Sequence, residues 1–214
     1  NDLKYFMYIL GIFIGDGHLS YQEKKNINKS GLTKAEKIKK SKDKSGRFSY
    51  IGKIGDEKFS ISKSWRIFLD IPEEDPCRKR CENSLDGLGI KWHPHKGKVF
   101  TRIYFNSKEF SKIFQDCGKY AKNKEIPRWA LDMPTSLLLP LWEGLLDSDG
   151  HKRHIFYTSS SRLAYQFMEL CVKLNLNPNL NTRYSENKID NRIIKGSGYY
   201  ITCRNKQWRD IRKE

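Results

Sequence analysis

A ten-residue pattern that the chain contains twice limits its fold more than any other feature. Ile9-Leu10-Gly11-Ile12-Phe13-Ile14-Gly15-Asp16-Gly17-His18 returns as Trp142-Glu143-Gly144-Leu145-Leu146-Asp147-Ser148-Asp149-Gly150-His151. Glycines 11 and 144 match, as do the small residues at 15 and 148 and the Asp-Gly-His runs at 16–18 and 149–151. In each copy an apolar run at helical spacing ends in one carboxylate, followed by a glycine of the kind that stops helices. A small residue before each Asp lets two such helices approach closely, so that the two acids meet. An acid at a helix C-terminus is opposed by the helix dipole, and its occurrence there twice asks for a compensating cation. One Asp-Gly alone is an ordinary turn. Two in matching contexts point to two like halves with one acid each.

Both stretches resemble the LAGLIDADG motif of homing endonucleases, in the form that carries two motifs in one chain. The second copy is the closer match, and the first has Ile14 where the motif's earlier acid stands. The resemblance implies an α/β (α+β) fold of two pseudo-symmetric αββαββα halves about a central pair of motif helices, with two saddle-shaped antiparallel DNA-binding sheets. It implies a monomeric, site-specific double-strand DNA endonuclease that hydrolyses phosphodiesters with Mg²⁺ at a long pseudo-palindromic or asymmetric target, leaving 3′ overhangs. Two rivals remain. One is an RNA maturase or a non-cleaving nucleic-acid-binding protein of the same fold, with intron RNA as partner. The other is a basic structural protein of a ribonucleoprotein, which would not need the repeated acid. Intron-encoded and intein-embedded origins are both open.

Bulk properties agree with a nucleic-acid partner. The formal charge is +16 over 214 residues, which favours a polyanion. A hydrophobic content of 37% with 13% aromatics is that of a folded protein, and the length suits two halves of ordinary size. No apolar run is long enough to span a bilayer, and the N-terminus lacks the basic start and cleavage site of a signal peptide. Cysteines 77, 81, 117, 171 and 203 form an odd set without CxxC, read as reduced thiols in an intracellular protein.

The expected layout is a first half over 1–120 with a basic extension at about 24–64, a connector over 121–135, and a second half over 136–214. Residues 2–16 read as a helix with Asp2 as its cap, followed by a strand over 18–24. Residues 24–47 hold ten Lys/Arg against Glu36 and Asp43 and read as a solvated loop, with phosphate contact as the functional alternative. Short strands are expected at 48–54, 59–61 and 66–71, a helix at 73–88, and a hairpin of 91–96 with 98–105 around Gly97. Ser107 caps a helix to Cys117. Pro127 and Pro134 break the connector, and Pro140 opens the second motif helix at its first turn. A strand at 154–158 matches 66–70, and a helix at 161–174 matches the one ending at Leu88. A last hairpin of 179–184 with 199–204 encloses a polar loop at 185–198.

Phosphodiester hydrolysis needs an activated water and neutralised charge, which divalent ions on hard oxygen ligands supply. The resemblance assigns two or three Mg²⁺ to Asp16 and Asp149, helped by the carbonyls of Gly15 and Ser148. Lys152, three after Asp149, is the candidate catalytic cation, placed to polarise water or a phosphate as basic residues near family active sites do. Leu19 stands in its place in the first half, where Lys63 or Arg66 would serve. His18 and His151 read equally as water-positioning groups or as plain surface residues. Asp147 points away from Asp149 on a helix and reads as structural. DNA contacts fall to the sheets, whose alternation sends every second side chain to one face. The candidates are Ser20, Gln22, Lys24, Lys98 and Arg102 in the first half and Arg153, Arg183 and Arg204 in the second.

Overall fold

The structure is a computed structural model that describes residues 1–28, 41–42, 48–54, 57–96, 101–151, 155–189 and 192–204. The first half runs α1 (Asp2–Asp16), β1 (Gly17–Asn28), β2 (Ser41–Lys42), β3 (Phe48–Ile54), β4 (Glu57–Leu69), α2 (Pro76–Gly87), β5 (Trp92–Lys96), β6 (Thr101–Asn106) and α3 (Lys108–Phe114). Two 3-10 turns and the short α4 (Arg128–Leu131) lead to α5 (Thr135–Asp149), β7 (Gly150–His151), β8 (Ile155–Thr158), α6 (Ser161–Lys173), β9 (Asn177–Ile189) and β10 (Arg192–Arg204). This is αββαββα in the first half, with β2 and β3 inserted, and αββαββ in the second. A closing helix of the second half would lie outside the described residues.

Local chemistry sets the helix ends. The Asp75 carboxylate accepts from Cys77 N at 2.9 Å, with Pro76 behind it, so α2 starts at Pro76 rather than at Glu73. Ser107 and Ser160 cap α3 and α6 by accepting from Phe110 N at 3.1 Å and Leu163 N at 3.2 Å. Asn1, not Asp2, stands at the cap of α1 and makes no side-chain cap bond; Asp2 lies in the first turn, where the dipole favours an acid. Pro140 does not open α5 but lies inside it, because the helix already begins after Pro134 and buries the proline ring.

In the second sheet the order is β7-β8-β10-β9. The first sheet contains the same arrangement as β1-β4-β6-β5, and β3 and β2 are added beside the far end of β4. All pairs are antiparallel. Gly17 pairs Leu69 and Gly150 pairs Phe156, so Asp70 corresponds to Tyr157, one residue off the match expected from sequence. The two short strands expected at 59–61 and 66–71 are one strand, β4, and the loop expected at 24–47 is strand up to Asn28. Most of the polar loop expected at 185–198 is likewise strand, since β9 and β10 pair from Asn177↔Arg204 out to Ile189↔Arg192. These ribbons are rich in polar residues, with Phe59 and Ile61 or Ile189, Ile193 and Ile194 as short apolar interruptions, yet backbone pairing continues through them.

The core centres on α1 and α5, which pack along Met7–Ile14 and Leu138–Leu146. Their backbones touch. A Cβ placed on Gly11 would lie 2.4 Å from Leu141 O and 2.9 Å from Gly144 Cα, and one on Gly144 would lie 2.3 Å from Tyr8 O. Side chains elsewhere on the two helices lock the crossing: Tyr8 OH donates to Asp147 Oδ2 at 3.0 Å, while Arg80 of α2 lies over the Tyr8 ring at 4.2 Å and pairs with Glu143. Asp147 thus faces the helix interface and not the end that carries Asp149. Gly144→Ala should lower stability by roughly 2–3 kcal/mol, because a methyl there meets backbone that cannot give way. Thermal unfolding followed by circular dichroism would show this against Ser136→Ala, an exposed substitution on the same helix.

Candidate active site

Both motif helices end at their acids, and the next residue is already strand. Gly17 and Gly150 are extended (φ −99° and −91°), so neither is a left-handed helix stop. Space requires glycine instead: a Cβ would fall 2.5 Å from Phe13 O at Gly17 and 2.1 Å from Leu146 O at Gly150. The helix can therefore turn directly into its sheet. Two residues before Gly17, a Cβ on Gly15 would lie 2.0 Å from Ser148 Oγ and 3.3 Å from Asp149 Oδ2. The Asp149 carboxylate thus lies against Gly15, while the Ser148 hydroxyl donates back into its own helix, to Gly144 O and Leu145 O at 3.0 Å each.

This packing puts Asp16 and Asp149 into one poorly hydrated site. Burial pushes Asp16 up to about 7, and the neighbouring charges of Asp149 and Asp70 add to the shift. Burial raises Asp149 to about 6, against the attraction of Lys124. Lys124 is a buried cation from the connector whose Nζ donates to Phe13 O at 3.0 Å and to Gly17 O at 2.7 Å, bracketing Asp16. Burial lowers its pKa, with Cys117, Asp149, Asp16 and Asp70 opposing. Its own carbonyl accepts from Ser160 Oγ at 2.7 Å, so this one residue ties the end of α1 to the cap of α6.

Two hollows flank Lys124 and Gly15. One, of about 380 Å³, is lined by Asp149, Tyr157, Arg183 and Tyr200; the other, of about 560 Å³, by Asp16, His18, Asp70 and Tyr120. Beside the second, Asp70 is bonded to Asp16 directly: Asp70 N donates to Asp16 O at 3.0 Å, and its carboxylate pairs with His18 Nδ1 at 3.3 Å and Arg102 Nε at 3.0 Å. In the second half the corresponding row is Tyr157 and Tyr200, with ring centroids 6.3 Å apart.

The residues expected at the site divide accordingly. Asp16, Asp149, Gly15 and Ser148 come together. Ser20, Gln22 and Arg66 share the outward face of the first sheet, opposite to buried Ile67, and Arg183 is exposed beside Asp149. Arg102, expected to contact DNA, is engaged by Asp70. Lys98, Lys152 and Arg153 lie outside the described residues, as do the side chains of Lys24, Lys63, His151 and Arg204. Sequence reasoning missed Lys124 and Asp70. Lys124 stands in a connector with no periodic pattern, and Asp70 reads as the last residue of an apolar strand.

The two acids and the carbonyls at the helix ends are a hard-oxygen donor set suited to divalent ions. Among the described residues no three His, Cys, Asp or Glu side chains gather at one point. A pair of acids without a cage leaves room for waters and substrate phosphates as further ligands of a divalent ion.

No family model matches the sequence, and no curated protein matches it by sequence. Solved structures do match. Mesophilic variants of the homing endonuclease I-DmoI superpose with a TM-score of 0.57 at 14% identity, covering 98% of this chain and 94% of that one. I-DmoI in complex with DNA and Ca gives 0.59 at 15% identity, over 97% and 86%. Its G20S variant with target DNA and Mg gives 0.58 at 13%, over 96% and 92%. From end to end, the chain has the fold of a single-chain LAGLIDADG homing endonuclease.

Proposed function

We propose that the chain is a divalent-metal-dependent, site-specific double-strand DNA endonuclease acting as a monomer, because one chain supplies both acids. The observation that carries this reading is the abutment of Asp16 and Asp149 at the two helix ends, in a fold whose solved representatives hold DNA and divalent ions. A surplus of 41 Lys and Arg over 25 acids supports a polyanionic substrate.

Asp16 and Asp149, with the carbonyls of Gly15 and Ser148 beside them, would hold Mg²⁺. Such ions supply an activated water and neutralise charge at the attacked phosphate and the leaving oxygen. The remaining work falls to the chain. Lys124 fixes the last turn of α1, and so the direction of Asp16, and its charge lies between the two hollows where phosphates would enter. Asp70 orients His18 through Nδ1, which leaves the other ring nitrogen to position a water. Lys152 is the proposed cation beside Asp149. The outward faces of the two sheets hold the duplex, and the contrast of Asp70–Arg102 with Tyr157–Tyr200 makes the target asymmetric about its centre.

Cleavage of a plasmid library with Mg²⁺, Ca²⁺ or EDTA tests the assignment. Wild type should cut one recurring site only with Mg²⁺, while Asp16→Asn and Asp149→Asn lose cutting by at least about a hundredfold and keep binding. Full cutting by either variant sinks the site. Absent cutting together with tight, salt-sensitive binding of a structured intron RNA favours a maturase. Lys124→Met should lower the cutting rate more than binding.

Stability should follow the two carboxyls. Their folded pKa values lie above the ordinary carboxylate range, so the folded state binds more protons between about pH 4 and 7 and loses stability as pH rises through that window. In EDTA, Asp16→Asn should therefore be more stable than wild type at pH 8, by about 2 kcal/mol after allowance for partial exposure, and no more stable at pH 4. Added Mg²⁺ should stabilise wild type at pH 8 and not at pH 4. Urea titrations at the two pH values measure both effects.

A further inference from the structure

The likeness of the two halves extends to a buried place on the last strand of each sheet, and there their chemistry differs. Helices α2 and α6 are each followed by a left-handed residue, Gly89 at φ 64° and Asn175 at φ 58°. Ile90 N donates to Leu85 O and Leu176 N to Cys171 O, both at 2.9 Å, so Leu85 of α2 corresponds to Cys171 of α6. In the sheets Leu69 pairs with Gly17 and Ile103, while Phe156 pairs with Gly150 and Ile201. Two residues further on, Phe105 of β6 corresponds to Cys203 of β10. The first half fills these positions with a leucine and a phenylalanine, both fully buried, and the second half with two thiols. Packing alone therefore does not ask for sulfur here.

The two thiols are in contact, with Cys171 Sγ and Cys203 Sγ 3.2 Å apart. A disulfide holds its sulfurs at about 2.05 Å, so the pair has about 1 Å left to close, within reach of rotation about the two Cα–Cβ bonds. The partners are not equivalent. Cys203 keeps 7% of its surface open and Cys171 none. Burial pushes the Cys171 thiol up, and its hydrogen bond to Cys203 adds to the rise. That hydrogen bond draws Cys203 below the ordinary thiol range, against its own burial. The better thiolate is thus the one nearer solvent, and the protonated thiol waits behind it. An attacking and a resolving cysteine need that order.

We propose that Cys171 and Cys203 are a site of reversible disulfide formation by peroxide, which staples the end of β10 to α6. The Cys203 thiolate attacks one peroxide oxygen and breaks the O–O bond, becoming a sulfenic acid while the other oxygen leaves as water with the thiol's proton. Cys171 Sγ then attacks Cys203 Sγ, and the hydroxyl leaves as a second water with the Cys171 proton. Both sulfurs are oxidised, and one peroxide is reduced to two waters. The cysteines lie 32 residues apart, and the loop between them contains all of β9 and most of β10, so the bond anchors that ribbon at its base. Neither thiol lines the hollows beside Asp16 and Asp149, and the inference stands apart from the nuclease reading.

The test treats the full chain with hydrogen peroxide in EDTA, alkylates the remaining thiols in denaturant, and maps unreduced peptides by mass spectrometry. One cross-link, Cys171 to Cys203, should form, and dithiothreitol should undo it. The oxidised chain should unfold about 5–10 °C higher than the reduced one, as closing a loop of this length implies. Cys171→Ala should leave Cys203 as a sulfenic acid that dimedone traps, whereas Cys203→Ala should leave Cys171 unmodified, and neither should gain heat resistance. Cross-links confined to Cys77, Cys81 or Cys117, a cross-link that leaves the midpoint unchanged, or no cross-link in folded wild type overturns the proposal. So does a sulfenic acid on Cys171 in Cys203→Ala. The wild-type arms decide the matter even where a variant fails to fold.

Discussion

The contact of α1 with α5 through the backbone at Gly11 and Gly144 is the constraint from which the remaining geometry follows. With no side chain between them, the helices run close enough that their last turns abut, and Gly15 meets Ser148 and Asp149. Because β1 and β7 begin at the residues immediately after Asp16 and Asp149, each sheet is set by the direction of its helix, with no linker to loosen the relation. The crossing of two helices therefore fixes the meeting of the acids and the placing of both sheets at once.

That crossing has an electrostatic consequence. Two carboxylates at helix C-termini, partly withdrawn from water, resist ionisation, and the chain offsets this only in part. Lys124 lies near both, yet its Nζ is committed to the carbonyls on either side of Asp16. The acids are thus held in position but left under-neutralised, which is the state in which a divalent ion gains most from entering. The halves also differ where they border the site, charged in one (Asp70 with Arg102) and phenolic in the other (Tyr157 with Tyr200).

What the sequence made legible follows from how local each signal is. The repeated motif, the extent of α1, the Ser107 cap and the strand at 48–54 rest on residues close together in the chain, and the structure has them there. The two acids were legible because they end apolar runs and recur in the same context. The long strands were not, because the polar Ser62-Lys63-Ser64 interrupts one of them, and the run from Ser185 to Ser197 is mostly polar, with Ile189, Ile193 and Ile194 at no sustained two-residue period. Lys124 was hidden for a different reason. Its role is created by carbonyls more than a hundred residues away in sequence and by the Ser160 hydroxyl, and nothing beside it marks it.

Those polar ribbons separate two tasks that globular proteins usually mix. Strands β9 and β10 pair over 13 residues each, whereas β8 lies against only the four residues Tyr199–Thr202 of β10. Beyond that stretch β9 and β10 pair with each other out to Ile189↔Arg192. Each residue advances a strand by about 3.3 Å, close to the spacing of about 3.4 Å between successive base pairs. For a chain that lies along a duplex, inserting one residue in each strand of a ribbon lengthens the readable segment by about one step, and inserting two restores the outward face. In such a chain reach along the duplex would be adjustable in small increments at the ribbon tips, with the glycine crossing of α1 and α5 untouched.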